Sequence, residues 1–114
     1  MKIFHNPRCS KSRQGLEALT DSKINFEVIE YLKTPLTEDE IKDLLLKLKM
    51  EPIDLVRKSE AIWKENYKGK NLSNNQIIKA MYENPKLIER PIVVRGEFAV
   101  IGRPIENIIS LIEK

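Results

Sequence analysis

The residue best suited to chemistry is Cys9, within the segment His-Asn-Pro-Arg-Cys-Ser-Lys-Ser-Arg at residues 5–13. An apolar stretch precedes it and helical spacing follows it, so we expect Cys9 at the N-terminus of the first helix. Unpaired backbone N–H groups and the helix dipole stabilise a thiolate there and lower its pKa. Arg8, Lys11 and Arg13 add positive charge nearby, and the same groups would bind an oxyanion. The segment therefore predicts a reactive nucleophile beside an anion site, not a cysteine that only packs.

Two familiar cysteine motifs do not fit this segment. A phosphatase loop needs C-x-x-x-x-x-R, but position 15 is glycine, and a dithiol C-x-x-C needs a cysteine where Ser12 stands. Cys9 is the single cysteine, which excludes an internal disulfide and a multi-cysteine zinc site. Because His5 is also the single histidine, we expect no metal. A monothiol stops at a mixed adduct until an external thiol resolves it.

Three further arginines, Arg57, Arg90 and Arg103, could complete an oxyanion site. A planar guanidinium holds a tetrahedral oxyanion through two parallel hydrogen bonds. Arg90 and Arg103 each precede a proline at the edge of a predicted hairpin. Their spacing alone is a weak signal, since an isolated arginine is most often a surface residue. His5 is interpreted as a structural histidine at the end of a strand, with orientation or tuning of the cysteine loop as the alternative.

The elements that must position these residues begin with a β-α-β unit. Periodicity and turn residues predict a strand at 2–5, a helix from 10 to about 19, and a strand at 25–31. The second strand alternates so that both of its faces should be partly covered. The middle of the chain, from about 37 to 84, is predicted to be helical. Capping boxes, Thr37 with Glu40 and Ser73 with Gln76, mark the starts of two of its helices.

The C-terminal part predicts a β-hairpin and a last helix. Residues 91–94 and 98–101 should pair around Arg95-Gly96-Glu97. Arg103-Pro104 should open the helix, whose buried stripe is predicted at Ile105, Ile108, Ile109 and Ile112.

This element order is that of an α/β thioredoxin-like fold, with a mixed central sheet flanked by helices. Residues 1–114 are therefore predicted to form a single domain with a helical insertion at about 37–84. In a thioredoxin-like fold the bond before the proline of the hairpin strand is cis and faces the cysteine loop. We expect that bond to aim Arg90 and Pro91 at Cys9.

Composition narrows the class of protein. The 114 residues are 41% hydrophobic and 32% charged, which suits one globular domain. A net charge of +3 with scattered lysines is weak for a nucleic-acid binder. The sequence has no apolar run of membrane-spanning length and no signal-peptide core at its start. We expect a cytoplasmic monomer that binds neither membrane nor nucleic acid.

The segment from His5 to Arg13 resembles the cysteine loop of the glutaredoxin-coupled arsenate reductases. Other segments recur in that family in the same order: Tyr-Leu-Lys-Thr-Pro-Leu-Thr (31–37), Leu-Val-Arg-Lys (55–58), Glu-Arg-Pro-Ile-Val-Val (89–94) and Gly-Arg-Pro (102–104). The resemblance spans essentially the whole chain, and it implies a thioredoxin-like fold with a helical insertion.

The resemblance also implies a reaction. Cys9 matches the nucleophile that attacks arsenate, giving an arsenic adduct with loss of water. Glutathione then joins as co-substrate, glutathione and glutaredoxin act as the external reductants, and arsenite leaves, with no cofactor bound. The resemblance also implies an arginine triad that binds the oxyanion and stabilises the thiolate, and it is matched by Arg57, Arg90 and Arg103. His5 matches a histidine that influences the cysteine. We further expect Ser12, Arg13 and Pro91 to support the site.

Two alternatives stay open at this point. One is an Spx-like regulator that binds RNA polymerase; Ser12 counts against it, because that redox switch uses C-x-x-C. The other is a related thiol protein acting on a different substrate, since phosphate resembles arsenate in size and charge. Ser10 and Lys11 stand where the best-studied type of member has Thr and Gly, and the extra charge of Lys11 could alter the anion preference.

Overall fold

A computed structural model describes all 114 residues and divides the chain into two compact units. The first unit comprises Met1–Thr34 and Arg90–Lys114, and the second is Pro35–Glu89. The second unit thus covers the stretch where the sequence predicts a helical insertion. That the whole chain forms a single domain stays a prediction. None of the helices combines the length and the apolar character that a membrane span requires.

The first unit contains a four-stranded mixed sheet. Its strands are β1 (Lys2–Phe4), β2 (Glu27–Ile29), β3 (Ile92–Arg95) and β4 (Phe98–Ile101), in the order β2-β1-β3-β4. β1 pairs parallel with β2 and antiparallel with β3, and β3 pairs antiparallel with β4. Gly96, at φ +60°, makes the hairpin turn in a conformation that suits glycine. The thioredoxin-like α/β fold predicted from the sequence is confirmed.

Two helices of this unit, α1 (Ser10–Ser22) and α5 (Glu106–Ile112), pack together on the sheet. Their shared core is made of fully buried aliphatic side chains from both helices and from β1 and β3: Ile3, Leu19, Val93, Ile108 and Leu111. This core fixes the start of α1, and with it Cys9, above the carboxyl end of β1.

Two details of this unit differ from the prediction. The second strand is shorter than predicted, and Val28 is 44% exposed because β2 lies at the edge of the sheet. In α5, Ile109 is 43% exposed and Leu111 is buried in its place. Ile108 marks the centre of the buried face, and Ile109 lies about 100° around the helix from it.

The second unit is helical, as the sequence predicts. It contains α2 (Glu38–Leu48), α3 (Ala61–Asn66) and α4 (Asn74–Glu83), with 3-10 turns at Pro52–Leu55 and Pro85–Leu87. Both predicted capping boxes are confirmed, since each cap side chain accepts from the third helical N–H and the return hydrogen bond is also made.

Candidate active site

Cys9 is the N-cap residue of α1, as predicted, with extended backbone angles. Its N–H donates to the Asn6 carbonyl at 3.0 Å, and its carbonyl accepts the Arg13 N–H at 3.0 Å. The side chain is half-buried. The sulfur is thus fixed by a tight loop on one side and the first helical turn on the other, yet remains accessible to a reactant.

Two of the three predicted arginines, Arg90 and Arg103, meet at the Cys9 sulfur. Nη2 of Arg103 donates to Sγ of Cys9 at 3.2 Å, while its Nε donates to the Arg90 carbonyl at 2.7 Å. The Arg90 guanidinium also hydrogen-bonds Cys9. Two cationic donors, one before β3 and one after β4 at the open end of the hairpin, therefore converge on one sulfur atom.

Close packing around Pro91 holds the hairpin against the cysteine helix. The Arg90–Pro91 bond is cis, as predicted, and so is Arg103–Pro104. The Pro91 carbonyl accepts the Gly102 N–H at 2.8 Å. A Cβ on Gly15 of α1 would lie 3.0 Å from Cγ of Pro91, and one on Gly102 would lie 2.8 Å from it. Both glycines thus allow an approach that a larger residue would block.

The surroundings of Cys9 lower the pKa of its thiol. Burial is the largest influence and acts in the opposite direction, because it disfavours the charged form. It is outweighed by the Ser12 backbone N–H, the Arg90 hydrogen bond, the Lys11 backbone N–H and the Arg90 charge. The helix N-terminus and the guanidinium therefore act together, as expected for a reactive thiolate.

Ser12 and His5 form a buried polar pair beneath the cysteine loop. Ser12 is 0% exposed; its Oγ lies 2.6 Å from Nδ1 of His5 and accepts the Asn6 N–H at 3.0 Å. The His5 pKa is lowered, chiefly by burial, although the Glu30 charge and the Ser12 hydrogen bond oppose this. A neutral His5 can accept a hydrogen bond at Nδ1 from the Ser12 hydroxyl, and this pair helps to fix the loop.

Arg13 and Arg57 occupy different settings from the two arginines at the sulfur. Arg13 donates from Nη1 to the Pro7 carbonyl at 2.9 Å and so ties α1 to the loop before Cys9. Arg57 belongs to the second unit, where its backbone N–H donates to the Leu87 carbonyl at 2.7 Å and its Nε lies 3.5 Å from Oε1 of Glu60. Oxyanion binding by Arg57 stays a prediction.

Sequence reasoning did not assign a role to Tyr31. This side chain is 1% exposed, and it interacts with the guanidinium of Arg90. Through that contact it borders the group that holds the Cys9 sulfur. Tyr31 belongs to the segment Tyr-Leu-Lys-Thr-Pro, which the family resemblance already singled out. An aromatic residue at the end of a predicted strand, however, is most simply interpreted as a packing residue.

These features define a thioredoxin-like protein with a single activated cysteine at a helix N-terminus, flanked by two guanidinium groups. No group of three or more His, Cys, Asp or Glu side chains is arranged to hold a metal ion. The arrangement can bind a tetrahedral oxyanion and attack it with sulfur, because two guanidinium groups, which hold oxyanions well, lie at the sulfur of the nucleophile.

Comparison with known proteins places the chain in a family. Residues 4–111 match the profile of the ArsC family, and the chain belongs to that family. It is 45% identical to the uncharacterised protein YfgD of Escherichia coli K12 over 98% of this chain and 96% of that one. It is 41% identical to an arsenate reductase of Neisseria meningitidis serogroup A, over 98% and 97% of the two chains. The structure of an arsenate reductase from Vibrio cholerae superposes with a TM-score of 0.91 at 42% identity, over 96% and 97% of the chains.

Proposed function

We propose that this protein reduces arsenate to arsenite, with Cys9 as nucleophile and with glutathione and glutaredoxin as external reductants. The observation that carries the proposal is the convergence of Arg90 and Arg103 on a half-buried Cys9 at the start of α1. Relatives of nearly the same length that are named arsenate reductase support the choice of arsenate among tetrahedral oxyanions.

In the first step the Cys9 thiolate attacks arsenic. An S–As bond forms, one As–O bond breaks, and the departing oxygen leaves as water after protonation. Arsenic remains in the +5 state. Arg90 and Arg103 serve twice, because they stabilise the thiolate before the attack and the negative oxygens of the adduct after it.

In the second step arsenic gains two electrons. Two thiols supply them by becoming one disulfide, so Cys9 and one glutathione yield a mixed disulfide as arsenite is released. Cys9 is the only cysteine of the chain, and every other thiol must therefore come from another molecule. A glutaredoxin thiol then attacks the glutathione sulfur of the mixed disulfide and releases the Cys9 thiolate. The glutathione carried by glutaredoxin leaves as glutathione disulfide when a second glutathione attacks it.

The test is a coupled assay in which arsenate-dependent NADPH oxidation is followed with glutathione, glutathione reductase and glutaredoxin present. We expect turnover that disappears when arsenate or glutaredoxin is omitted and when Cys9 is changed to serine. NADPH oxidation that persists in folded Cys9→Ser would refute the role of Cys9. A folded wild type that is silent toward arsenate would refute the choice of substrate.

A further inference from the structure

A cleft of about 210 Å³ opens beside the cysteine loop, apart from the guanidinium groups that face the sulfur. One wall is the segment from His5 to Arg8, which ends one residue before Cys9. The other wall comes from Glu30, Leu32 and Lys33, directly after β2. Since β1 and β2 are parallel, the cleft lies at their carboxyl ends, where open α/β sheets commonly bind ligands.

The side chains of this cleft combine charges of both signs with one apolar group. Arg8 and Lys33 are cations, and a carboxylate oxygen of Glu30 lies 3.5 Å from Nζ of Lys33. Leu32 is 39% exposed and offers apolar contact. Two positive charges and one negative charge leave the cleft cationic. Such a lining complements a small molecule that carries carboxylates and an ammonium group and is anionic in total.

We propose that this cleft binds the charged backbone of the thiol that resolves the Cys9 adduct. This inference rests on the proposed function, which needs an external thiol because the chain has one cysteine. A tripeptide thiol with two carboxylates and one ammonium group, the chemistry of glutathione, matches the charges. Extended, it spans about 10 Å, and the cleft wall ends at Arg8, the residue before Cys9; we therefore expect the sulfur of a ligand held in the cleft to reach the reacting centre.

Binding of the ligand would require Lys33 and Glu30 to give up their ion pair, which costs little free energy. The Lys33–Glu30 ion pair is solvent-exposed, and exposed pairs contribute little stability. Lys33 can therefore turn to a carboxylate of the ligand while Glu30 accepts from its ammonium group. Arg8 provides the second cation and, being next to Cys9 in the chain, directs the ligand toward the sulfur.

The experiment is an NMR titration of the full chain with S-methylglutathione, which keeps the charges of glutathione but has no free thiol. We expect saturable shifts at the backbone amides of Arg8, Leu32 and Lys33. The double variant Arg8→Gln/Lys33→Gln should weaken binding about fivefold, as expected for the loss of two exposed ion pairs. Lys2→Gln is the matched control for removal of positive charge, because Lys2 is an exposed lysine at the opposite end of β1; it should leave the Kd unchanged.

A second ligand distinguishes specific binding in the cleft from non-specific electrostatic attraction of an anion. N-acetyl-S-methylglutathione lacks the ammonium group, so the wild type should bind it more weakly than S-methylglutathione, and Glu30→Gln should abolish that difference. Shifts that map away from the cleft, equal weakening by Lys2→Gln, or no saturable binding would overturn the proposal. Because the titration needs no redox chemistry, binding without arsenate turnover would refute only the proposed function. Turnover without binding here would refute only the cleft.

Discussion

Replacing Arg90 with methionine should raise the pKa of the Cys9 thiol. The change keeps most of the aliphatic stem and removes the hydrogen bond and the charge that favour the thiolate. Two unit charges about 4 Å apart interact by about 1 kcal/mol in water and about 4 kcal/mol in a medium of dielectric constant near 20. Cys9 is half-buried and Arg103 stays 3.2 Å from its sulfur. We therefore expect the lost stabilisation of the thiolate to lie at the low end of that range, about 1–2 kcal/mol.

The assay is a pH titration of the ultraviolet absorbance of the thiolate, repeated as the pH dependence of the rate of alkylation by iodoacetamide. Arg95→Met is the matched control, since Arg95 lies in the same hairpin but donates to the carbonyls of Leu111 and Ile112 at the end of α5. It should leave the pKa of Cys9 unchanged. If folded Arg90→Met also leaves that pKa unchanged, Arg90 does not stabilise the thiolate and the reasoning fails.

Three further perturbations test the groups that support the site. Ser12→Ala leaves the buried Asn6 N–H without its acceptor, so it should lower the free energy of unfolding in urea by about 1–3 kcal/mol; an unchanged midpoint would contradict the hydrogen-bonding role of Ser12. Because burial holds the His5 pKa below its ordinary value, the folded state resists protonation, and stability should fall as pH drops from about 6.5 toward the lowered pKa. Urea titrations at several pH values in that window should show that the free energy of unfolding depends less on pH in His5→Asn than in the wild type. An identical pH dependence in the two proteins would exclude His5 as the titrating group. Arg95→Ala leaves two C-terminal carbonyls of α5 without their donor, so it should lower the free energy of unfolding by about 1–2 kcal/mol in thermal or urea unfolding. An unchanged free energy of unfolding would contradict the structural role of Arg95.

Local signals in the sequence were sufficient for much of the fold. The capping boxes at Thr37 and Ser73 depend on residues three positions apart, so they can be read without knowledge of the tertiary structure. The hairpin around Gly96 is equally local. Once this element order suggested a thioredoxin-like sheet, the cis bond before Pro91 followed from the fold rather than from any propensity of Arg90 or Pro91.

The burial of Val28 and Ile109 was predicted wrongly because burial depends on where each element lies in the tertiary structure. Alternation at Val28 shows a strand but does not show that the strand lies at the edge of the sheet, where its side chain stays exposed. In α5 the isoleucine pattern fits more than one face, and the face that packs into the core is the one with Ile108 and Leu111, which leaves Ile109 exposed.

The candidate site was predictable to a similar extent. Cys9 could be placed at the start of a helix because strand and turn signals precede it. That Arg103 would donate to Cys9, 94 positions apart in the chain, depends on the return of the hairpin and was available only through the family resemblance. Tyr31 could not be recognised, because its contact with Arg90 exists only in the folded chain.

The central claim is that Cys9 and external thiols together reduce the bound oxyanion. It is tested most directly by incubating the protein with arsenate and glutathione in the absence of glutaredoxin, followed by mass spectrometry of the chain and measurement of arsenite. We predict one equivalent of arsenite per chain, a single glutathione attached to Cys9, and then no further turnover until glutaredoxin is added. Arsenite formed with Cys9 unmodified and still alkylatable, or a folded chain that forms neither arsenite nor the mixed disulfide, would contradict the account.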